Sequence, residues 1–348
     1  MRIAFIVNRV EREDPATTTI VLAHCASRRG HRVHLMDVTD LACFPDGHVG
    51  GPARRAPELS PMDSTETYLA HLRSDDARDE ISTRDLDVLW IRYNSSELGL
   101  EESWAMNSGF LFGQLAMQQG VLVLDHPESL LYADSKLYLL HFPASVRPRS
   151  LITRNVRDVR RFYEECGQRM VLKPLNGSCG VDVYLLDRDT TNLNGLFQSL
   201  ARRGHVIAEE YLPEAANGDV RLFVMNGKPL IAEGRTAAIH RVNPPDDFRS
   251  NMTVGATAAR AEVTPEMLAV AELVGPKLRQ DGIFFAALDF VGNRILEITT
   301  TSPGGLWSAS RLEGVDFAAE VIREVERKVE HRNSATGGIS NRALASMV

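Results

Sequence analysis

The chain has 348 residues, of which 44% are hydrophobic and 24% charged, a composition typical of a globular protein with two or three domains. Its net charge of −7 argues against a general attraction to nucleic acid, although a local basic site is compatible with it. The four cysteines lack CxxC or Cys/His spacing, which argues against a disulfide framework or a zinc site and fits a cytoplasmic protein. Neither a signal peptide nor a membrane span is predicted, because the apolar start is short and no apolar run reaches about 18 residues.

Residues 1–125 have the pattern of a parallel α/β sheet. Apolar runs predict strands at 3–7, 32–36, 87–91 and 121–124. The segments between them predict helices at 18–29 and 102–119. The first strand is not followed by G-x-G-x-x-G, so a dinucleotide site is not indicated. The proline-rich residues 44–63 predict a surface loop. Arg92 and Asn94 lie at the carboxyl end of the third strand, where ligands bind in open α/β sheets.

The next unit, residues 126–203, carries two lysines beside apolar residues. Lys136 lies in a short helix predicted at 135–141, and Lys173 interrupts a strand predicted at 170–175. The loop Asn-Gly-Ser-Cys-Gly at 176–180 follows, before a strand predicted at 181–186. An ammonium group beside a glycine loop can bind phosphates through its charge and through backbone N–H groups. Alternatively, the stem of Lys173 covers apolar surface and its charge stays in water.

The third unit, residues 204–331, begins with two predicted strands, at 206–213 and 220–225, and ends with two helices, at 265–280 and 317–330. Residues 234–258 form a long polar segment, which is typical either of a mobile lid or of a disordered loop. The polar side chains of Arg241, Arg249 and Asn251 within it favour the lid. Residues 332–348 are small and polar, and predict a loose tail.

Residues 284–301 predict a β-hairpin that turns at Gly292-Asn293 and carries one carboxylate on each strand. A two-residue turn would place Asp289 and Glu297 on opposite faces, whereas a three-residue loop would pair them on one face together with Thr299. We adopt the three-residue loop, which is a common hairpin connection. Paired carboxylates repel unless a cation lies between them, and hard oxygen ligands favour Mg²⁺. The alternative is a pair of charges on the wet face of a hairpin.

A set of short motifs occurs in order along the chain: Lys136, Lys-Pro-Leu-Asn-Gly (173–177), Tyr-Leu-Pro (211–213), Gly-Asp-x-Arg (218–221), Arg-x-Asn (249–251), Leu-Asp (288–289) and Glu-Ile-x-x-Thr-Ser-Pro (297–303). In this order they resemble the bacterial glutathione synthetases, which are ATP-grasp carboxylate–amine ligases. The resemblance covers nearly the whole chain. It implies an α/β protein with an ATP-grasp fold and an N-terminal parallel-sheet (pre-ATP-grasp) domain, divided into residues 1–125, 126–203, 204–331 with the lid at 234–258, and the tail 332–348.

The resemblance also implies roles for individual residues. ATP would be bound by Lys136, Lys173, Gly177, Gly180, Glu209, Glu210, Tyr211, Leu212 and Asp219. Two Mg²⁺ ions, with Mn²⁺ as the alternative, would be held by Asp289 and Glu297, with Thr299 in the position of a third ligand. Catalysis and the lid would use Arg221, Arg241, Arg249 and Asn251. The resemblance further implies a homo-oligomer.

The sequence departs from the family pattern at several of these motifs. Thr299 replaces an asparagine, and Cys179 replaces a glycine of the loop. An Arg-x-Asp-Pro-Pro motif of the family becomes Arg92-Tyr93-Asn94-Ser95-Ser96 here, and Gly304-Gly305 is not followed by Arg-Glu. The last two changes fall on the side of the acid substrate. We therefore predict a pocket that binds a substrate carboxylate with a weaker preference for a γ-glutamyl end, through Arg92, Asn94, Ser302, Gly304 and Gly305.

The predicted activity is ATP-dependent ligation of a small carboxylic acid or peptide to an amine through an acyl phosphate, with γ-glutamylcysteine and glycine as the default substrates. Such chemistry needs cations beside the transferred phosphoryl group and a lid that excludes water. One alternative is a different pair of amino acids or specialised metabolites. A phosphotransferase and a non-catalytic nucleotide-binding protein are alternatives of another class, although the joint presence of Lys136, Lys173, Arg221, Asp289 and Glu297 argues against the latter.

Overall fold

The computed structural model describes residues 1–59, 63–177, 179–335 and 338–347. Parts of three predicted segments lie outside these ranges: residues 60–62 of the proline-rich loop, Ser178 of the glycine loop, and residues 336–337 and 348 of the tail. Within the described ranges, most strands belong to three sheets of seven, four and six strands, with one additional two-stranded pair. The described part of the chain contains no helix that is both long and apolar enough to cross a bilayer.

The seven-stranded sheet occupies the N-terminal part of the chain, in the order β3-β4-β2-β1-β6-β7 with β5 beside β4. Strands β2, β1, β6 and β7 are parallel, as predicted, and β3 to β5 extend the sheet with antiparallel pairing. The strands and helices are β1 Arg2–Val7, α1 Thr18–Arg28, β2 Arg32–Asp37, β3 Ala42–Cys43, β4 Val49–Arg55, α2 Thr65–Leu72, β5 Arg78–Ser82, β6 Val88–Ile91, α3 Ser108–Gln118, β7 Leu122–Leu124 and α4 Pro127–Ala133.

Two predictions in this unit are wrong. The predicted loop at 44–63 contains β4, in which Pro52 is paired with Glu80 of β5. Strand β3 pairs only as far as Gly50 and β2 pairs only from Arg54, so Pro52 has a cross-strand partner on one side alone and its missing N–H is tolerated. The helix predicted at 102–119 is also interrupted, because a 3-10 helix at Leu100–Ala105 precedes α3.

The four-stranded sheet is antiparallel, in the order β10-β9-β11-β8, and has its own hydrophobic core. Its elements are β8 Ser150–Thr153, α5 Val156–Glu165, β9 Met170–Pro174, β10 Tyr184–Leu186, α6 Leu193–Ala201 and β11 Val206–Glu210. The strand predicted at 181–186 is shortened, since Cys179 and Asp182 both have left-handed backbone conformations, with φ of +57° and +58°. These two residues hold the chain in a turn that an extended strand cannot follow.

The six-stranded sheet has the order β17-β16-β12-β18-β19, with β13 beside β12. Its part of the chain contains β12 Asp219–Met225, β13 Lys228–Pro229, β14 Ile231–Ala232, β15 Arg235–Thr236, β16 Ala238–Val242, β17 Thr257–Arg260, α7 Pro265–Gln280, β18 Phe285–Val291, β19 Arg294–Thr299 and α8 Leu306–Glu313. The prediction of one lid over 234–258 is therefore wrong, because β16 is a paired inner strand of the sheet. The longest irregular stretch within 234–258 is residues 243–256, which includes a 3-10 helix at Met252–Val254.

The hairpin of β18 and β19 confirms the predicted pairing of Asp289 with Glu297 but not the predicted turn. The turn has two residues, since Val291 pairs with Arg294 across Gly292-Asn293. The register then shifts, so that Phe290 pairs with Ile295 while Asp289 pairs with Glu297. Leu296 is the extra residue of this β-bulge, and the bulge returns Glu297 to the face of Asp289.

The C-terminal segment is docked, so the prediction of a loose tail is wrong for the residues described there. Helix α9 (Phe317–Ser334) packs against α1, and α10 (Asn341–Ala345) lies against β7. The Asn341 side chain accepts the N–H of Val123 at 2.8 Å and donates to its carbonyl at 2.9 Å. These bonds satisfy the backbone groups at the edge of the parallel sheet, and Leu344 is buried against the core.

Asp125 follows β7 and is fully buried. One carboxylate oxygen accepts the backbone N–H groups of Phe284 and Phe285, and the other has no partner among the described residues. Burial raises the pKa of Asp125 to about 7. A raised folded-state pKa favours the protonated acid, so its stabilising contribution is full at low pH and is lost as the pH rises through about 7.

Asp125→Asn is therefore expected to remove this pH dependence and to be more stable than the native protein at pH 8, by roughly 2–4 kcal/mol. The amide oxygen can still accept the two backbone N–H groups, and no carboxylate remains to ionise. Urea unfolding at pH 5 and pH 8 measures the effect, with the exposed Asp76→Asn as the matched control. Parallel pH profiles for Asp125→Asn and the native protein would contradict the assignment.

Candidate active site

An open cleft of about 940 Å³, part of it continuous with solvent, lies between the four-stranded and six-stranded sheets. A volume of this order suits a nucleotide-sized ligand. Most of the residues that the sequence predicts for a site line this cleft: Lys136, Lys173, Gly177, Gly180, Glu209, Glu210, Tyr211, Leu212, Asp219, Arg241, Arg249, Asn251, Asp289 and Glu297. Thr299 and Arg221 lie next to it and contact each other, with 3.5 Å between Nη2 of Arg221 and Oγ1 of Thr299.

Lys173 faces the cleft from β9. Alternation along this strand buries Met170 and Leu172 and turns Val171 and Lys173 the other way. The ammonium group of Lys173 donates to Oε1 of Glu209 on the neighbouring strand β11, at 2.8 Å. Both side chains are largely buried, so the alternative in which the charge of Lys173 lies in water does not describe this structure. The pair places a cation on the floor of the cleft.

Lys136 begins a 3-10 helix, Lys136–His141, and reaches across the cleft. Its ammonium group donates to the carbonyl oxygen of Gly177 and lies 3.0 Å from Oε1 of Glu297. It therefore links the glycine loop to the carboxylate of the hairpin. Burial tends to raise the pKa of Glu297, but the ammonium groups of Lys136 and Lys173 together outweigh that effect and the net pKa is lowered. Glu297 is accordingly a carboxylate at neutral pH.

Asp289 accepts hydrogen bonds from two arginines in the interior of the sheet. Arg221 binds it through two nitrogens, each at 2.8 Å, and Arg241 through one nitrogen at 2.7 Å. Arg241 also binds both oxygens of Asp219, at 2.6 and 2.5 Å, and Ser250 donates to Asp219 as well. Burial would raise the pKa of Asp289, but the two guanidinium groups lower it below its ordinary value. Asp219, which is predicted to bind ATP, is thus also the partner that fixes Arg241.

The donor set fits a divalent cation that ATP phosphates help to bind. Asp289 and Glu297 share one face of the hairpin, with Thr299 two residues further along β19. Within the described ranges, no group of three or more acidic, histidine or cysteine side chains is close enough to enclose a metal ion. Mg²⁺ is commonly held by one or two carboxylates together with substrate phosphates, so two carboxylates suffice here. These two carboxylates form ion pairs with three basic side chains, Lys136, Arg221 and Arg241. The position therefore favours positive charge.

The irregular segment 243–256 contacts the glycine loop across the mouth of the cleft. Arg249 donates to the carbonyl oxygen of Gly180 at 2.8 Å, and Thr253 donates to that of Cys179 at 3.1 Å. A Cβ atom on Gly180 would lie 2.5 Å from Oδ1 of Asn251. Two predicted site residues, Arg249 and Asn251, therefore close over the loop that is predicted to bind phosphate.

Gly180→Ala is expected to weaken ADP binding about tenfold, since the new methyl group would displace Asn251 and add strain at a φ of +72°. Gly167→Ala is the matched control, because Gly167 has a φ of +67° but nothing within 4 Å of its missing Cβ. Calorimetric titration with ADP measures both variants. Equal affinities in the two variants would show that the contact with Asn251 has no role in nucleotide binding.

The residues predicted for the acid substrate do not line the cleft. The side chain of Asn94 forms only local hydrogen bonds among those described. Its oxygen accepts from the backbone N–H and the hydroxyl of Ser96, and its nitrogen donates to the carboxylate of Glu97. Gly304 presents its carbonyl oxygen to Nη1 of Arg221 at 3.2 Å, and Ser302 and Gly305 flank this contact in the chain. Arg92 is only 2% exposed, so the predicted contact with a substrate carboxylate would require its side chain to leave its present position. Their role in substrate binding stays a prediction.

Several residues that line the cleft escaped the sequence reasoning. Val171 has the same orientation as Lys173, two residues away on β9, and this alternation was a usable signal. Leu296 lines the cleft because it lies in the β-bulge, and Phe248 and Ser250 line it because they belong to the irregular segment 243–256. No periodicity marks these three residues, because bulges and irregular segments follow tertiary contacts rather than a repeat.

The fold resembles that of solved ATP-grasp proteins. The crystal structure of the D-cycloserine synthetase DcsG matches it with a TM-score of 0.59 at 15% identity, covering 93% of this chain and 99% of that one. The macrocyclase MdnC of Microcystis aeruginosa, bound with its precursor peptide MdnA, has the same TM-score at 13% identity and the same coverage. At such identities the likeness establishes the fold alone, and it confirms the predicted fold class.

The family follows from sequence comparison. The model of the prokaryotic glutathione synthetase ATP-grasp domain matches residues 135–314, and the model of the N-terminal domain of the same family matches residues 1–130. The glutathione synthetase of Synechococcus elongatus is 30% identical over 342 residues, covering 94% of this chain and 99% of that protein. That of Gloeobacter violaceus is 31% identical over 331 residues, covering 92% and 95%. The chain belongs to the prokaryotic glutathione synthetase family and is an ATP-dependent ligase whose family uses ATP with a divalent metal ion.

Proposed function

We propose that the protein joins the cysteinyl carboxylate of γ-glutamylcysteine to the amine of glycine through an acyl phosphate. The observation that carries this proposal is the pairing of Asp289 with Glu297 on one face of the hairpin, among Lys136, Arg221 and Arg241. Carboxylates and cations that converge at one end of a nucleotide-sized cleft suit a step in which a phosphoryl group is transferred. This substrate pair is the one that the resemblance to the glutathione synthetases implies, and the roles proposed below are those of this chain's own residues.

In this proposal Lys136 and Lys173 bind ATP phosphates, and backbone N–H groups of the loop at Gly177 and Gly180 assist them. Asp289, Glu297 and Thr299 would hold Mg²⁺, two ions by resemblance with Mn²⁺ as the alternative, and the metal would neutralise phosphate charge. Arg221 lies between Asp289 and the carbonyl oxygen of Gly304, where it can stabilise charge on the transferred phosphoryl group. Arg249 and Asn251 would close the segment 243–256 over the cleft and keep water from the acyl phosphate.

The adenine is proposed to lie against the end of β11 and the residues after it. Glu210 is fixed there, since it accepts the N–H of Arg149 at 2.8 Å and also pairs with Arg294. The ring of Tyr211 is covered by the guanidinium of Arg169, 4.2 Å from the ring centre. The N–H of Glu210 already donates to the carbonyl oxygen of Arg149 at 2.9 Å, so we propose that backbone groups of Tyr211 and Leu212 make most of the contacts with the base along residues 209–212, with Asp219 next along the cleft wall. We also propose the predicted domain division, a homo-oligomer, a cytoplasmic location and no nucleic-acid partner.

Release of ADP in the presence of paired acids and amines, with mass spectrometry of the product, tests the substrate assignment. The expected result is ADP formation that requires both γ-glutamylcysteine and glycine and yields the tripeptide. ADP formation and an amide product with another pair, at least a hundredfold faster, about 2.7 kcal/mol in barrier, would replace this pair by the altered substrates predicted from Asn94 and Gly304-Gly305. ADP release without amide formation for any pair would contradict the proposed function.

A further inference from the structure

Arg92 is a charged side chain in the interior of the protein. It follows β6, where its N–H still donates to the carbonyl oxygen of Ile6. Its guanidinium lies over the rings of Trp90 and Phe285, at 5.7 and 5.8 Å from their centres. Burial lowers the pKa of Arg92 to about 10, which leaves it charged at neutral pH. A buried cation is unfavourable unless its contacts compensate for the lost hydration. The hydrogen-bond acceptors of this guanidinium therefore indicate its role.

Arg92 holds two separate parts of the chain. Its Nε donates to Oγ1 of Thr19 at 3.3 Å, and its Nη2 donates to the carbonyl oxygen of Pro303 at 3.4 Å. The neighbouring Thr18 accepts the N–H of Leu306, at 3.3 Å. The first turn of α1 and Arg92 therefore bind both ends of the segment 303–306.

This segment carries the contact that leads to the cleft. The carbonyl oxygen of Gly304 accepts from Nη1 of Arg221, and Arg221 binds both oxygens of Asp289. The planar peptide unit fixes the Gly304 nitrogen relative to the Pro303 carbonyl, so only the two backbone dihedrals of Gly304 separate the anchored Pro303 carbonyl from the Gly304 carbonyl. The backbone at Gly305 also passes close to the six-stranded sheet, since a Cβ there would lie 2.8 Å from a methyl group of Ile239.

We propose that Arg92 is a positioning residue: it anchors the peptide at Pro303–Gly304 to the N-terminal sheet, and the Gly304 carbonyl then orients Arg221 and, through it, Asp289. This inference rests on the proposed function for its kinetic consequence, but the chain of contacts is independent of the substrate. The proposal gives Arg92 a role exerted from the interior, whereas the predicted contact of Arg92 with a substrate carboxylate stays a separate prediction.

Arg92→Met tests the proposal, because methionine fills a similar volume but cannot donate to Thr19 or Pro303. With the native pair of substrates, kcat is expected to fall by ten- to a hundredfold while the KM values for ATP and for the acid change less than threefold. In an Arg221→Lys background, Arg92→Met is expected to reduce kcat less than threefold further, since both changes act through the same contact. Two results would overturn the proposal. One is a double variant in which the loss of kcat equals the product of the losses in the two single variants, and the other is a raised KM for the acid with an unchanged kcat in Arg92→Met.

A second readout keeps the test separate from the proposed reaction and from folding. Mn²⁺ binding in the presence of ADP, followed by electron paramagnetic resonance, is expected to weaken about tenfold in Arg92→Met, whereas ADP binding without metal stays unchanged. Thr19→Val retains the buried arginine and removes one acceptor, so it should weaken Mn²⁺ binding in the same direction but about threefold, and Thr19→Ser should restore it. Native Mn²⁺ affinity in both Arg92→Met and Thr19→Val would overturn the positioning role. If the native protein binds Mn²⁺ and ADP but forms no amide, the proposed function alone fails.

Discussion

Glu297→Gln is expected to lower kcat by roughly 10²–10³-fold with little change in ADP affinity. Glu297 is the carboxylate that the bulge at Leu296 brings opposite Asp289, and its partner in the structure is the ammonium group of Lys136 at 3.0 Å. A neutral amide keeps the shape but is a poor ligand for Mg²⁺ and a weak partner for a lysine. The variant should remain folded, because Glu297 is partly exposed and such an ion pair contributes about 1 kcal/mol at most.

Steady-state ADP release over a range of Mg²⁺ concentrations measures this effect. Glu272→Gln, on the exposed side of α7, is the matched control and should be indistinguishable from the native enzyme. Recovery of native kcat for Glu297→Gln at saturating Mg²⁺ would show that the carboxylate serves only to increase metal affinity. Native kcat at low Mg²⁺ would contradict any role of Glu297 in the metal site.

Arg241→Met is expected to destabilise the protein by about 3–5 kcal/mol, the effect typical of removing one partner from a buried ion network. Arg241 is only 4% exposed and binds Asp219 and Asp289, which repel each other and would be left without this cation. In this variant Arg221 still pairs with Asp289, whereas Asp219 loses its arginine partner. Adding Asp219→Asn should therefore restore about half of the lost stability.

Urea unfolding at pH 7 measures both variants. The matched control is Arg78→Met, which removes an arginine from an exposed pair with Asp75 and should change the free energy of unfolding by less than about 0.5 kcal/mol. A loss for Arg241→Met no larger than that of the control would mean that water or a movement of Ser250 compensates the two carboxylates. Failure of Asp219→Asn to restore stability would locate the charge conflict at Asp289 instead.

The hairpin shows how far the sequence could predict the site. Two carboxylates on apolar strands around Gly292-Asn293 were enough to predict their pairing, because period-two alternation relates position to face. The turn was predicted wrongly, since a longer loop and a bulge at Leu296 shift the register by the same one residue. Only the contacts on either side of the strand distinguish the two solutions.

The predictions of a lid and of a loose tail were wrong for a different reason. Residues 238–242 are polar at two positions, yet they form an inner strand because Arg241 meets carboxylates from β12 and β18. Asn341 likewise docks the tail by bonding to the backbone of Val123, more than two hundred residues earlier in the chain. In both segments a polar residue is compensated by a distant partner, which local composition cannot reveal.

We propose that this protein activates a carboxylate by phosphorylating it. γ-Glutamylcysteine labelled with ¹⁸O in its cysteinyl carboxylate, incubated with ATP, Mg²⁺ and glycine, tests this most directly. If an acyl phosphate forms and glycine displaces its phosphate, one labelled oxygen must leave with inorganic phosphate for each amide made. Mass spectrometry of the phosphate is predicted to show this one-to-one transfer. Unlabelled phosphate accompanying ADP and amide formation would contradict the account.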